Sequence, residues 1–474
     1  MYPKFYISKT DDIAAFPPFV KLFLLGVVLF SFACNRSATF ENNPIRISAV
    51  DAEAGETTIA AGNDGSIFVV YVEHGTGNSA DLYLQKVDEN AKLSGEKVRI
   101  NSAKGQAKAW RGDPPTIKIG RNNEIFVGWT AKFANSDKSG ATVLNLSVSH
   151  DGGKNFDAPV KVNDDTAPSS HGMHSLAIGV DGTVFMAWLD ERNVKTDAQA
   201  QNSGGDVFVE TNNQHTNRFH FIKASHNSNQ SDTNKTDKNA AAHNSENHNT
   251  AIKTAAAEPN SEVYFAFSKD GGKTFSPNKK LAADVCPCCK TSLLTAPDGK
   301  LYVSWRQVLP GEFRHIAVAS SQNNGADFSA PVIVSDDQWQ ISACPVSGAP
   351  MIFDTENNLQ IFWYSEGAKG KPGLYTAISK DGGKSFAERR PVSENASSGT
   401  PSLTMNDGKN IKVVWASNEN IYVSDLPVDL RQPIKNAEIG SGKLPAAVTV
   451  NGKTVTAFVK KEDSKQSVWV SVLN

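Results

Sequence analysis

Ser149-His-Asp-Gly-Gly-Lys-Asn-Phe156, Ser268-Lys-Asp-Gly-Gly-Lys-Thr-Phe275, Ser321-Gln-Asn-Asn-Gly-Ala-Asp-Phe328 and Ser379-Lys-Asp-Gly-Gly-Lys-Ser-Phe386 are four copies of one octapeptide. Each has serine first, an acid or its amide third, glycine fifth and phenylalanine last. The composition is that of a tight turn between two strands. Asp151, Asp270 and Asp381 can accept backbone N–H groups across the turn, the glycines tolerate positive φ, and the aromatic ring tucks under the sheet. Asn323 takes the place of the acid in the third copy.

Working outward, each octapeptide sits in a longer repeat: a first strand, a DG-type turn, a β-rich second strand with a central aromatic, a third strand, the octapeptide and a fourth strand. The second strands are Ile67–Tyr71, Ile125–Trp129, Val184–Trp188, Leu301–Trp305, Leu359–Trp363, Ile411–Trp415 and Val455–Phe458, seven in number. Fourth strands follow at Lys97–Ile100, Val160–Val162, Lys280–Leu281, Val332–Val334, Arg390–Val392 and Pro433–Ile434, and the chain ends on a third strand at Ser467–Leu473. The missing fourth strand is supplied by Pro44–Ile47, which can pair with the C-terminal unit and remove both exposed edges. The fold class expected is all-β: a seven-bladed β-propeller closed by an N-terminal strand, with six blades as the alternative count.

The rest of the chain limits the function. Leu22–Ala33 is an apolar run, preceded by Lys21 and followed by Cys34, too short to span a bilayer and of signal-peptide length. Residues 1–33 are therefore expected to be a lipoprotein-type signal peptide, with Cys34 the acylated first residue of the mature chain, and 34–474 a single propeller domain. The protein is placed in the bacterial cell envelope, held to the membrane, the outer one expected, by its lipid. A net charge of −2 with 21% charged residues gives no reason to expect nucleic acid as a partner. A monomer is expected. The third unit is interrupted at about 195–259 by a polar, Asn- and His-rich insertion that reads as disordered.

The octapeptide resembles the Asp box of sialidase-like (BNR/Asp-box repeat) propellers. That resemblance covers most of the mature chain as a repeat pattern. In such a propeller the Asp boxes lie on one face, while the loops leading into first strands and out of second strands open on the other. The lead-in loops carry Arg111-Gly-Asp113, His171-Gly-Met173-His174, Cys286-Pro-Cys288-Cys289-Lys290 and Cys344; the outgoing loops carry Arg192, Arg306 with Arg314 beyond it, and Tyr364-Ser-Glu366. The resemblance implies a carboxylate gripped by arginines, for which Arg111, Arg192, Arg306 and Arg314 are the candidates, because a guanidinium fork binds carboxylate bidentately. It further implies a Tyr–Glu nucleophile and an Asp acid/base, here Tyr364, Glu366 and Asp113, and thus binding or exo-sialidase-like hydrolysis of an anionic glycan or other small anionic ligand, with no cofactor required. The family's N-terminal F/Y-R-I-P signature appears only as Ile45-Arg-Ile-Ser48, on the closing strand. The cysteines are not a sialidase feature. They admit a disulfide from Cys344 to one member of the cluster, a redox thiol beside Lys290 and Arg306, or a Cu or Zn site of Cys286, Cys288, Cys289 and Cys344 with His171 and His174 in a metal-handling protein.

Overall fold

The computed structural model describes residues 39–473 except 41–42, 77–78, 110–111, 135–139, 195–259, 342–343, 407–409, 428–433 and 463. The expected leader, Cys34, Arg111 and the insertion lie outside these residues. Among the described residues every regular element is a β-strand. Six hydrogen-bonded sheets form, five of four strands and one of eight. The eight-stranded sheet is two four-stranded units whose ladders meet at one pair, Val285 with Gln307, so the strands fall into seven units.

The first six units run first strand to fourth strand in chain order, and the seventh takes its fourth strand from the N-terminus. The first strands are Glu53–Ala61, Thr116–Ile119, His171–Ile178, Ser292–Thr295, Met351–Phe353, Ser402–Asn406 and Lys443–Val450. Each lies beside the first strand of the next unit, and that of the seventh lies beside that of the first. Packing closes this ring, since the named strands of neighbouring units pair only at Val285–Gln307. The N-terminal strand Ile45–Arg46 is the outermost strand of the seventh unit, with Ile45 opposite Val470 and Arg46 opposite Trp469. One boundary differs from expectation. The sixth fourth strand runs Lys435–Ser441, just after the expected Ile434, while Pro433 lies outside the described residues.

The core is layered between units. Cluster after cluster joins the second and third strands of one unit to those of the next, as where Val70 and Leu82 meet Val127 and Trp129, or Phe265 and Leu189 meet Val303 and Trp305. The aromatic near the end of each second strand is buried, and in the five units where it is tryptophan its indole N–H finds an acceptor, as burial of a polar atom demands. Trp129 donates to Ser147 Oγ at 3.0 Å, Trp188 to Asp190 at 2.8 Å, Trp305 to Gln307 at 2.8 Å, Trp363 to Asp337 at 2.7 Å and Trp415 to Ser424 at 2.8 Å.

The four octapeptides adopt one turn. In the second copy Ser268 Oγ donates to Asp270 at 2.7 Å and accepts from Gly272 N–H at 2.8 Å, while Asp270 accepts the N–H groups of Lys273 and Thr274 at 3.0 and 2.9 Å. The same bonds recur at Ser149/Asp151 and Ser379/Asp381, and Asn323 accepts the Asp327 N–H at 2.9 Å in the third copy. These bonds favour the carboxylate and hold the Asp151 carboxyl down at about 2. The glycine fifth in the octapeptide has positive φ and touches the preceding unit. A Cβ on Gly153 would lie 2.8 Å from Leu84, on Gly272 2.5 Å from Leu146, on Gly325 2.4 Å from Phe265 and on Gly383 3.1 Å from Tyr302. Each turn is thus a joint that seats one unit on its predecessor.

Candidate functional site

The lead-in loops of the second, third and fourth units converge. Asp113 precedes the second unit's first strand, His174 lies on the third unit's, and Lys290 stands two residues before the fourth unit's. His174 Nδ1 is 3.3 Å from Asp113 Oδ1, and Lys290 Nζ is 3.7 Å from the same oxygen. Lys290 Nζ also donates to the backbone carbonyl of Pro114, crossing from the fourth unit to the second. His174 is fully buried, and both of its ring nitrogens, like Asp113 Oδ1, lack an aligned hydrogen-bond partner. The 3.3 Å contact is therefore close but not a well-formed hydrogen bond. Burial pushes the Lys290 ammonium down to about 8, against the pull of Asp113. Burial opposes the Asp113 carboxylate too, but His174, Lys290 and the Met173 N–H together hold its carboxyl below the usual range.

The backbone here is strained. Met173 takes φ +51° at a bulge between Gly172 and Ser175, and the first strands of units one and seven have the same device at Glu56 (φ +48°) and Leu444 (φ +49°). Bulges of this kind re-aim side chains at a strand's end. In the first unit the bulge buries Glu56, which meets His74 at 2.7 Å.

The other sequence candidates are placed as follows. Arg192 is saturated: Nε and Nη2 bond Asp190 at 2.8–3.1 Å, Nη1 bonds Asp164 at 2.6 Å, and Nη2 also bonds Asn278 at 2.9 Å. Its guanidinium lies 4.3 Å from the Tyr264 ring. Arg306 is 1% exposed, lies 4.9 Å from the Trp339 ring and donates through Nη2 to the carbonyls of Tyr364 (3.0 Å) and Ser347 (3.4 Å). Arg314 donates to the Ile341 carbonyl and to Glu312. Arg192, Arg306 and Arg314 are thus each engaged by partners within the fold and do not form an open fork. Tyr364, near the end of the strand Leu359–Ser365, and Glu366, just beyond it, do meet: the buried Tyr364 hydroxyl donates to exposed Glu366 at 2.6 Å. His171 is committed elsewhere, with Nδ1 2.7 Å from the Thr142 carbonyl and Nε2 3.1 Å from Asp165, 3.2 Å from Ser169 Oγ and 3.4 Å from Asp190.

The cysteines lie between the third and fourth units. Cys286, Cys288 and Cys289 are buried with Met173, Leu293 and Trp305, and Cys344 and Val346 pack against them. Cys288 is disulfide-bonded to Cys344 across 56 residues, while Cys286 and Cys289 are thiols 2.9 Å apart. The Sγ atoms of Cys286, Cys288 and Cys289 all lie within 4.8 Å of one another. Burial pushes the Cys286 thiol up. Burial opposes the Cys289 thiolate as well, but the Cys286 hydrogen bond, the Arg306 charge and the Ser347 N–H bring its thiol below the ordinary value. A metal drawing on this set as it stands has two free sulfurs, and both His171 nitrogens are already engaged.

Sequence reasoning placed Lys290 only as a charge near the thiols. Its position just before the fourth unit's first strand, like that of Asp113 before the second unit's, was the signal for its part in their cluster.

No protein-family model and no curated protein matches the chain. Solved structures do. A polysaccharide lyase, an ulvan lyase, matches at 10% identity over 90% of this chain and 96% of its own, with a TM-score of 0.50. A leech intramolecular trans-sialidase matches at 12% identity over 92% of each chain, TM-score 0.45. A protein of unknown function from Dyadobacter fermentans matches at 12% identity over 93% of this chain and 99% of its own, TM-score 0.47. The chain has the sialidase-like β-propeller fold, and the likeness is one of fold.

Proposed function

We propose that this is an envelope propeller, anchored through Cys34, that binds an anionic glycan where the lead-in loops converge and acts on it by proton transfer. The observation that carries the reading is the meeting of Asp113, His174 and Lys290, drawn from three units and up to 177 positions apart, in one buried group with unsatisfied ring nitrogens. Buried polar atoms without partners are costly unless something else serves them, and a substrate hydroxyl or carboxylate has the needed donors and acceptors. Lys290 supplies the cation for a sugar carboxylate. Asp113 and His174 form the acid–base pair. Tyr364 with Glu366 is a second polar pair for the hydrolytic form of the reaction. The polysaccharide lyase that shares the fold supports a glycan as the substrate class.

The test is titration of the mature protein with sialyl- and uronate-containing oligosaccharides, each against its neutral counterpart. Turnover is followed as new reducing ends for hydrolysis and as unsaturated-product absorbance for elimination. Binding is expected for at least one anionic series and should weaken at least about tenfold in Lys290→Met, since charge-assisted bonds contribute about 1.5–3 kcal/mol. Equal binding of charged and neutral sugars, or full affinity in Lys290→Met, would overturn the proposal. Metabolic labelling with a fatty acid, lost in Cys34→Ala, tests the anchor.

A further inference from the structure

We infer that the four buried cysteines form a thiol–disulfide exchange centre, in which the Cys286/Cys289 dithiol and the Cys288–Cys344 disulfide interconvert. Three observations converge. First, the sulfurs are within reach: Cys286 Sγ is 2.9 Å from Cys289 Sγ and 3.8 Å from Cys288 Sγ, itself half of the disulfide. Second, a cation faces them. Arg306 is buried with Nε and Nη1 unpartnered, and a buried guanidinium needs a counter-charge. Its charge acts on both thiols, and a shared Cys286–Cys289 thiolate supplies the missing anion. Third, the loops carrying the cysteines are under tension. Asp284, two residues before Cys286, and Val346, two after Cys344, have positive φ (53° and 46°), and Val346 is β-branched, for which this conformation is a true outlier.

The exchange needs no outside oxidant. Cys286 passes its proton to the Cys289 thiolate along their short contact and attacks Cys288 Sγ. The Cys286–Cys288 bond forms, the Cys288–Cys344 bond breaks, and Cys344 leaves as thiolate. Cys289 gives its proton to that thiolate and attacks Cys286, expelling Cys288. The products are a Cys286–Cys289 disulfide, a Cys344 thiol and a Cys288 thiolate. Two electrons have moved from one pair to the other, with one proton following. Cys286, Cys288 and Cys289 are buried and Cys344 is half-buried, so exchange carries a reactive thiol from the interior toward the surface. A small dithiol or disulfide is the chemical class that would meet it there.

The experiment uses the full mature chain, equilibrated without oxygen in graded reduced and oxidised glutathione and quenched with acid. Free thiols are blocked with N-ethylmaleimide, and disulfides are mapped by mass spectrometry after non-reducing digestion. Both isomers, Cys288–Cys344 and Cys286–Cys289, are expected in molecules holding two thiols. Cys344→Ser should shift the disulfide to Cys286–Cys289, Cys289→Ser should go no further than the Cys286–Cys288 intermediate, and Arg306→Lys should slow interconversion by about tenfold. The two cysteine variants, compared by near-ultraviolet circular dichroism, guard against simple misfolding. Cys288–Cys344 as the sole disulfide at every poise would overturn the inference. So would stoichiometric zinc or copper on four reduced cysteines in protein purified without reductant.

Discussion

Replacing Gly272 by alanine tests whether the octapeptide turns hold the ring together or merely reverse the chain. Gly272 has φ +89°, and an added Cβ would lie 2.5 Å from Leu146 Cδ2 in the preceding unit, a side chain that is itself fully buried. Gly271, one residue earlier, has φ +74° and no atom within 4 Å of the position a Cβ would take. The pair separates backbone strain from packing. Forcing alanine to positive φ costs about 1–2 kcal/mol at either site. Overlap with a packed leucine adds about 1–3 kcal/mol at Gly272 alone. Thermal midpoints should therefore fall in the order wild type, Gly271→Ala, Gly272→Ala. Leu146→Ala, ordinarily a loss of about 2–5 kcal/mol, should cost less in the Gly272→Ala background, because the new methyl occupies the vacated space. Equal midpoints for the two glycine variants, or strict additivity with Leu146→Ala, would refute the seating of one unit on the next.

Other consequences are as direct. Asp151→Asn should flatten the acid limb of stability: the carboxyl sits at about 2 against an ordinary 3.8, so its contribution is present above that ordinary value and lost as pH falls toward 2. Acid titration of the variant by circular dichroism checks this. Asp190→Asn should destabilise by about 3–5 kcal/mol in urea unfolding, since buried Asp190 accepts from both Trp188 and Arg192. Affinity for a charged sugar should decline as pH rises through about 8, where Lys290 loses its proton, and calorimetric titration across pH 6–10 should show no such decline in Lys290→Met.

The strands were legible because their pattern is local. All seven second strands lie where the aromatic-centred runs place them, and Ile45–Arg46 pairs with the C-terminal unit as the strand count requires. The turns were legible for the same reason, since eight consecutive residues hold nearly all of their own hydrogen bonds. The site was less so, because its partners are remote in the chain. Arg192 looks like a ligand clamp until Asp164 and Asn278, themselves 114 residues apart, are seen to occupy it. Nothing in the order of residues couples Lys290 to Pro114, 176 positions away. Nor could spacing choose which of three clustered cysteines bonds Cys344, since the pairing joins the loop before the fourth unit to the loop after it.

The closing strand also decides how the molecule bears load. For a chain tethered through Cys34, a pull on the membrane side is transmitted first to Phe40, stacked 5.1 Å from Phe458, and then to the two residues of the Ile45–Arg46 strand. That strand is the outermost of the seventh unit, so a tether placed at Cys34 would enter the fold just ahead of it. Drag on the anchored protein would be felt at the seam where the propeller shuts, while the lead-in loops, borne on the inner strands, stay out of the line of force.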